Sequence, residues 1–418
     1  MPTADLNQRI AAIWRIESPK LIAGLARMLR DVGHAEELAQ DSLVTALETW
    51  PRDGVPDNPG AWLMTTAKRR AIDQLRRHKL IERKHEQIGY EIEMGQDEPA
   101  NARTDPDDDI GDDLLRLMFT ACHPVLPLDA RVALTLRLLG GLTTVEIARA
   151  YLVPEATIAQ RIVRAKRTLA KAQVPFEIPR ADERVERLAS VLEVTYLVFN
   201  EGYTATAGED WLRPALCEDA LRLGRVLAGL MPNEPEVHGL TALMELQASR
   251  MRARVDPKGE PVLLADQNRA HWDRLLIRRG LVGIERALKL ADAPGPYLLQ
   301  AMIAACHARA PGTEQTDWAL IAQLYAQLAE IAPSPVVDLN RAVAVAMAEG
   351  PARGLQLVDA LVRESAMENY HLLPSVRGDL LSKLGRASEA RAEFERAASL
   401  AQNARERTLL LKRAAECA

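Results

Sequence analysis

Two cationic stretches with an anionic one between them limit how this chain can fold. The first holds Lys68, Arg69, Arg70, Arg76, Arg77, Lys79, Arg83 and Lys84. The second holds Arg161, Arg164, Lys166, Arg167 and Lys171, with no carboxylate between Glu155 and Glu177. Between them lie Glu91, Glu93, Asp97, Glu98, Asp105, Asp107, Asp108, Asp109, Asp112 and Asp113. A block of like charge cannot fill a core, so each basic run belongs on a solvated face and the acidic tract reads as a self-repelling connector. The chain is therefore expected to fold as several bodies, which its 418 residues also favour.

Those bodies read as helical. Aromatic residues make up only 4% of the chain, and Ala, Leu, Arg and Glu dominate. This mixture favours helices and lacks the β-branched and aromatic side chains that strands use. The fold class expected is all-α. The four cysteines, Cys122, Cys217, Cys306 and Cys417, are scattered and form no CxxC pair, so neither a disulfide framework nor a zinc knuckle is expected. The pairs Cys122-His123 and Cys306-His307 invite a metal reading, but adjacent residues of a helix cannot both face one ion. No metal and no cofactor is expected. The N-terminus lacks a basic start followed by an apolar core, and no uncharged run is long enough to cross a bilayer. A cytoplasmic location away from membranes follows as the expectation.

Residues 5–85 read as a first helical domain. Leu6, Ile10, Ile13, Trp14, Leu21, Leu25 and Leu29 repeat near helical spacing. A helix from about His34 sets Leu38, Ser42, Leu43, Ala46, Leu47 and Trp50 on one stripe. After the loop PRDGVPDNPG, Asn58 is placed to cap a helix that opens on Pro59. That helix turns Trp62, Leu63, Ala67, Ile72 and Leu75 inward and its basic run outward, with Asp73 pairing a nearby arginine. Residues 86–113 read as a flexible acidic linker and 114–175 as a second helical domain. Residues 182–418 read as an all-helical extension, with a small hairpin or irregular loop at DPKGEPVLL (256–264). Near its end, Gly378, Leu381, Gly385, Ala390, Phe394 and Ala397 fall at the positions of a tetratricopeptide-like helical hairpin of roughly 34 residues. A weaker copy uses Ala342, Val345, Gly354, Val358 and Leu361, which places the repeats at about 335–404.

The second domain carries the sharpest local signal. GLTTVEIARAYLVPEATIAQRIVRAKRTL reads as helix, short turn, helix. Thr143 and Glu146 form a capping box for the first helix, and Leu152-Val153-Pro154 makes the break. Ile158, Ile162, Ala165 and Leu169 form an inner stripe on the second helix. Glu155 opens that helix, and Thr157, Gln160, Arg161, Arg164 and Arg167 are left on or beside the outer face. Such a helix can enter the DNA major groove, its first side chains reaching base edges and its later arginines gripping phosphates.

HAEELAQDSLVTALETW followed by NPGAWLMTTAKRRAIDQLRRHK resembles region 2 of the sigma-70 class of RNA polymerase sigma factors, in its compact extracytoplasmic-function (group IV) form. The helix–turn–helix then resembles region 4, so the resemblance covers about the first 175 residues. The remainder, through VFNEGYTAT, VLLADQNRAHWD and DWALIAQLY…APSPVVDLNRAVAVA, resembles the tetratricopeptide-like extension of a subgroup of these factors. The resemblance implies a subunit that binds core RNA polymerase, through its β′ clamp helices and β flap, and promoter DNA. Glu36, Glu37, Gln40 and Asp41 would then dock on the clamp helices. The loop 54–60, Asn58 above all, would take a flipped base of the −10 element, although Asn58 is equally explained by its cap. Lys68, Arg69 and Arg76 would contact the melted strand, with Trp62 as core. Glu155, Thr157, Gln160, Arg161, Arg164 and Arg167 would meet the −35 element. The acidic linker would thread toward the RNA exit path.

Asn200-Glu201-Gly202-Tyr203 interrupts the helical periodicity of the extension. Gly202 reads as a helix C-cap with Tyr203 packed behind it, and the resemblance makes the motif a signature of the extension. Asp266, Gln267, Arg269 and Trp272 could build either a buried polar network or a partner groove. The helical array offers a surface for a protein regulator or for an intramolecular contact. No nucleophile elbow, phosphate loop or carboxylate–metal constellation points to an enzyme, and no catalytic residue is expected. The alternative is an operator-binding helix–turn–helix regulator with a helical sensor domain.

Overall fold

A computed structural model describes residues 3–86, 106–151, 153–205 and 209–417. Among them the chain forms eighteen α-helices and four short 3-10 turns. An isolated bridge joins Val255 and Pro261, closing a small loop whose turn Gly259 takes at φ +78°. The fold is all-α, as composition predicts. No described helix is long and apolar enough to cross a membrane. Contacts divide the chain into two compact units, Met1–Val194 and Thr195–Ala418.

The first unit opens with α1 (Thr3–Leu29), α2 (Val32–Asp53) and α3 (Pro59–Glu86). Ile10, Leu21, Ile22 and Leu25 of α1 pack against Leu38, Ala39, Ala46 and Trp50 of α2 and Leu63, Ala67 and Ala71 of α3. Two positions expected on the inner stripes are not there. Leu47 and Ile72 are 42% and 41% exposed. Small Ala46 and Ala71 occupy the close-packed line beside them, so the apolar stripe is narrower than the count of aliphatic residues suggests. Leu75 of the same expectation lies outside the residues whose side chains are described.

The acidic tract is not a linker throughout. Its portion up to residue 105 lies outside the described residues, but α4 (Pro106–Ala121) takes up Asp107, Asp108, Asp109, Asp112 and Asp113. Proline at the first helical position and carboxylates in the opening turns suit the positive end of a helix. Asp113 is only 3% exposed and joins Arg116 at 2.7 Å to Arg27 of α1 at 3.3 Å. Leu115, Leu117, Met118 and Phe119 bury the other face of α4, partly against α1. Then follow α5 (Leu128–Leu138), α6 (Thr144–Tyr151) and α7 (Glu155–Lys171). Between α5 and α6, Gly141 sits at φ +71°, and a Cβ on it would stand 3.2 Å from the Arg15 Cα on α1. A side chain there would be strained by conformation and crowded by backbone.

The helix α8 (Ala181–Tyr203) crosses the border between the units. Its first half is held to the first unit. Arg187 donates to the Phe119 carbonyl at 2.9 Å and the Ser190 hydroxyl to the Cys122 carbonyl at 2.5 Å.

The second unit continues through α9 (Pro214–Leu230), α10 (Pro235–Ala248), α11 (Arg274–Leu290), α12 (Pro296–Arg309) and α13 (Trp318–Ile331). It ends with α14 (Pro335–Glu349), α15 (Pro351–Leu361), α16 (Leu372–Lys383), α17 (Ala387–Leu400) and α18 (Ala404–Glu416). Helices α9, α10, α12, α14 and α15 each open on proline. Successive helices pack as antiparallel neighbours on small residues. The α14–α15 hairpin closes at Gly354, where a Cβ would stand 2.8 Å from the Ala342 carbonyl oxygen. The α16–α17 hairpin closes at Gly378, where a Cβ would stand 3.2 Å from the Ala390 carbonyl oxygen. Leu339, Val358, Leu381, Phe394 and Leu410 share one core along this end of the unit. Asn403, fully buried, caps α18 through its Oδ1. Its Nδ2 donates to the carbonyls of Ala205 and Asp210 at 3.3 and 2.9 Å.

Candidate nucleic-acid interface

The first unit brings the expected docking, melting and duplex-reading residues onto three helices. On α2, Glu37 and Asp41 point to solvent and Gln40 is half-buried. Glu36 is not on that open face. It is 3% exposed, accepting from Arg137 Nε of α5 at 2.6 Å and pairing also with Lys166 of α7 and Gln40. A buried carboxylate needs opposite charge and donors on every side, and two helices of the later domain supply them. Nothing in the local sequence distinguishes Glu36 from Glu37; the partners lie 101 and 130 residues downstream.

The loop 54–60 turns on Gly54 at φ +84°. Asn58 is exposed and caps α3, its Oδ1 accepting from Ala61 N at 3.0 Å, while Gly60 leaves room for Glu17 where a methyl group would come within 2.6 Å of the carboxylate. Trp62 is half-buried and meets Trp50 edge to face, centroids 5.4 Å apart. Lys68, Arg69 and Arg76 lie exposed along α3, and no described residue pairs with Lys68 or Arg69. Arg70 is the exception in this run, donating to Thr45 at 2.8 Å and lying 3.4 Å from Asp41. Asp73, expected to pair an arginine, is exposed and pairs with no described residue. Side chains beyond Arg76 on this helix lie outside the described residues.

The helix–turn–helix forms as its capping signals dictate. Thr143 N donates to Glu146 Oε2 at 2.7 Å and Glu146 N to Thr143 Oγ1 at 3.1 Å, a reciprocal box opening α6. Ile158, Ile162, Ala165 and Leu169 are all buried on α7. The opposite face exposes Glu155, Gln160, Arg164 and Arg167, with Thr157 half-buried beside them. Arg161 is partly drawn in, 3.0 Å from Asp129 of α5. Val163, 46% exposed on the outer face, was missed in the sequence because an aliphatic residue carries no charge signal.

Three family models match the chain. "Sigma-70 region 2" spans residues 14–81, "Sigma-70, region 4" spans 116–169, and "Family of unknown function (DUF6596)" spans 187–288. The chain is similar to the ECF RNA polymerase sigma factor SigK of Mycobacterium tuberculosis (strain ATCC 25618 / H37Rv). Identity is 34% over 152 residues, covering 34% of this chain and 74% of the relative. The chain belongs to the ECF sigma factors of RNA polymerase. A relative of nearly equal extent is "Uncharacterized protein R00370" of Rhizobium meliloti (strain 1021), 46% identical over 390 residues, 93% of this chain and 91% of that one. This sigma factor is thus a DNA-binding transcription protein that works with RNA polymerase, and its second unit is part of a longer shared architecture.

In that second unit the Asn200–Tyr203 motif of the sigma factor is structural in a way that differs from a helix cap. Gly202 lies inside α8, without positive φ. A Cβ on it would stand 2.7 Å from the Cys217 amide nitrogen, so glycine is needed for close approach of α9. Glu201 pairs with Arg213, whose amide donates to the Gly202 carbonyl at 2.8 Å. Asn200 accepts the amide of Thr204 through its own carbonyl at 2.8 Å. Tyr203 stacks on Phe199, centroids 5.7 Å apart.

Proposed function

We propose that this ECF sigma factor is a dissociable specificity subunit that joins core polymerase and reads both promoter hexamers. In this reading α7 enters the major groove of the −35 element. Glu155, Thr157 and Gln160 face bases, and Arg161, Arg164 and Arg167 face phosphates. Region 2 engages the −10 element. Asn58 lies at the loop that takes an extruded base, and Lys68, Arg69 and Arg76 run along the single strand. The observation that carries the reading is the two-sided α7. Its four apolar residues are seated while Arg164 and Arg167 stay free of any described partner.

Glu37 and Asp41 would meet the β′ clamp helices, with Gln40 at the edge; their exposure on α2 supports this reading. Glu36 would reach polymerase only after leaving Arg137 and Lys166. The β flap would be met through the later domain. We take 14–81 and 116–169 as the working modules, and the acidic residues before Pro106 as the connector. The small-residue hairpins α14–α15 and α16–α17 support a tetratricopeptide-like array that modulates initiation at a particular set of promoters.

The test is reconstitution of the full chain with core polymerase. Promoter-specific run-off transcripts that need both an intact −35 and −10 element are expected. Tight operator binding by the chain alone, with no transcript from polymerase, would instead identify a helix–turn–helix regulator with a sensor domain.

A further inference from the structure

The second unit contains a concentration of positive charge apart from the residues assigned to promoter reading. Arg250 follows α10, Arg254 closes the 3-10 turn Met251–Ala253, and Arg269 opens the 3-10 turn Arg269–His271. All three are half-buried. Arg254 lies with its guanidinium 3.6 Å from the centre of the Tyr203 ring. Arg250 lies 5.7 Å from the Tyr203 ring and 5.7 Å from the Trp272 ring, and Arg269 lies 4.8 Å from Trp272. Arg250 therefore sits between the other two, sharing one aromatic platform with each.

The protein holds these cations in place without neutralising them. Arg254 donates to the Tyr203 carbonyl at 2.9 Å and to Thr204 Oγ1 at 2.8 Å. Arg269 donates to the carbonyls of His307 and Ala310, and Arg250 to the Tyr203 hydroxyl. Ring faces and carbonyls orient a guanidinium but bring no negative charge. Among the described residues no carboxylate forms an ion pair with any of the three. Three further nitrogens in the same place, Arg254 Nε, Trp272 Nε1 and His307 Nδ1, are buried with no hydrogen-bond partner in the protein. Like charges gathered out of bulk water raise the free energy of the fold unless a counter-charge joins them. Burial, and then Arg250 and Arg269, push His307 down to about 4, so it stays neutral beside them.

We propose that Arg250, Arg254 and Arg269 form a binding site for the phosphoryl group of a small molecule, with Trp272 as its apolar wall. Three forks, two flanking the turn Met251–Ala253 and one on the turn Arg269–His271, suit a tetrahedral, doubly charged oxyanion better than a carboxylate, whose two oxygens one arginine satisfies. His307 completes the site as a neutral donor. The Asn200–Tyr203 motif acquires a purpose through it, because Tyr203 is the platform that holds Arg254 and orients Arg250.

The proposal is tested on the full chain without polymerase or DNA, so its outcome is independent of the promoter-reading assignment. Inorganic phosphate is titrated by calorimetry at constant ionic strength, with chloride, acetate and a single-stranded oligonucleotide as separate arms. Saturable one-to-one binding of phosphate is expected, with a raised unfolding temperature that chloride does not give. Arg250→Gln and Arg269→Gln should each weaken phosphate binding about ten-fold or more. Without phosphate, both variants should unfold at or above the parent temperature, because a repelled charge has been removed. A purely structural arginine would give the opposite shift. The proposal is overturned by absence of saturable phosphate binding, by unchanged affinity in both variants, or by destabilisation of both without loss of affinity. Acetate binding as tightly as phosphate would overturn the phosphoryl assignment, and so would an oligonucleotide that outcompetes phosphate.

Discussion

Glu36 of region 2 and Arg137 of region 4 meet at 2.6 Å, 101 residues apart in the chain, with the carboxylate almost wholly removed from solvent. The pair is the central ionic tie of the first unit. Lys166 completes it from α7, the helix that also carries Arg161, Arg164 and Arg167.

Removing one member of this group should cost more than a surface pair would. Arg137→Ala leaves a buried carboxylate with Lys166 as its remaining cation, and a loss of about 3 kcal/mol is expected. Chemical denaturation followed by circular dichroism measures it. Glu36→Gln, which removes the charge needing compensation, should cost clearly less than Arg137→Ala, and equal losses would mean the pair is not the tie described.

Arg164 and Arg161 differ in how freely they can reach DNA. Arg164→Ala should lower the salt slope of −35 duplex binding by about 1, one phosphate's worth. Arg161→Ala should lower it less, since Arg161 already lies 3.0 Å from Asp129. Binding isotherms of the holoenzyme at several salt concentrations resolve the two, and Asp129→Asn should bring the Arg161 contribution up toward that of Arg164.

Gly202→Ala is expected to destabilise the second unit by about 1–3 kcal/mol, because the added methyl group meets the Cys217 backbone, which cannot rotate away. Gly229, also on a helix but with open space where a Cβ would stand, gives the matched control: Gly229→Ala should be neutral or stabilising. Thermal unfolding of the two variants decides the matter.

His307 gives a pH signature. Burial, then Arg250 and Arg269, lower its pKa from 6.5 to about 4. The unfolded chain therefore binds this proton more readily than the folded one below pH 6.5. The stability due to neutral His307 is complete above that pH and drains away as pH falls toward 4. His307→Gln should flatten the stability profile across that window, as read from denaturation midpoints at successive pH values.

Much of this was legible in the residues. The capping box Thr143–Glu146, the inner stripe from Ile158 to Leu169 and the Asn58 cap are local patterns, and local patterns survive folding because the partners are within one helical turn. What failed was decided at a distance. Ile72 looked inward by period, but Ala71 takes the contact line. Gly202 looked like a helix end because glycine often is one, whereas its reason lies in α9. The carboxylates of Asp107–Asp113 looked like a solvated strap, yet apolar residues just beyond them seat α4 and carry the acidic turns into the helix. Glu36 could not be separated from Glu37 by any neighbour in sequence.

Asn403 has a consequence for how the second unit behaves under stress. Stacked helical hairpins usually melt from whichever end is least supported, since each touches only its neighbours. Here one amide side chain fastens the first turn of the last helix to backbone about two hundred positions earlier. That tie joins α18 to the opening segment of the unit, so clipping α18 should loosen the opening helices as well.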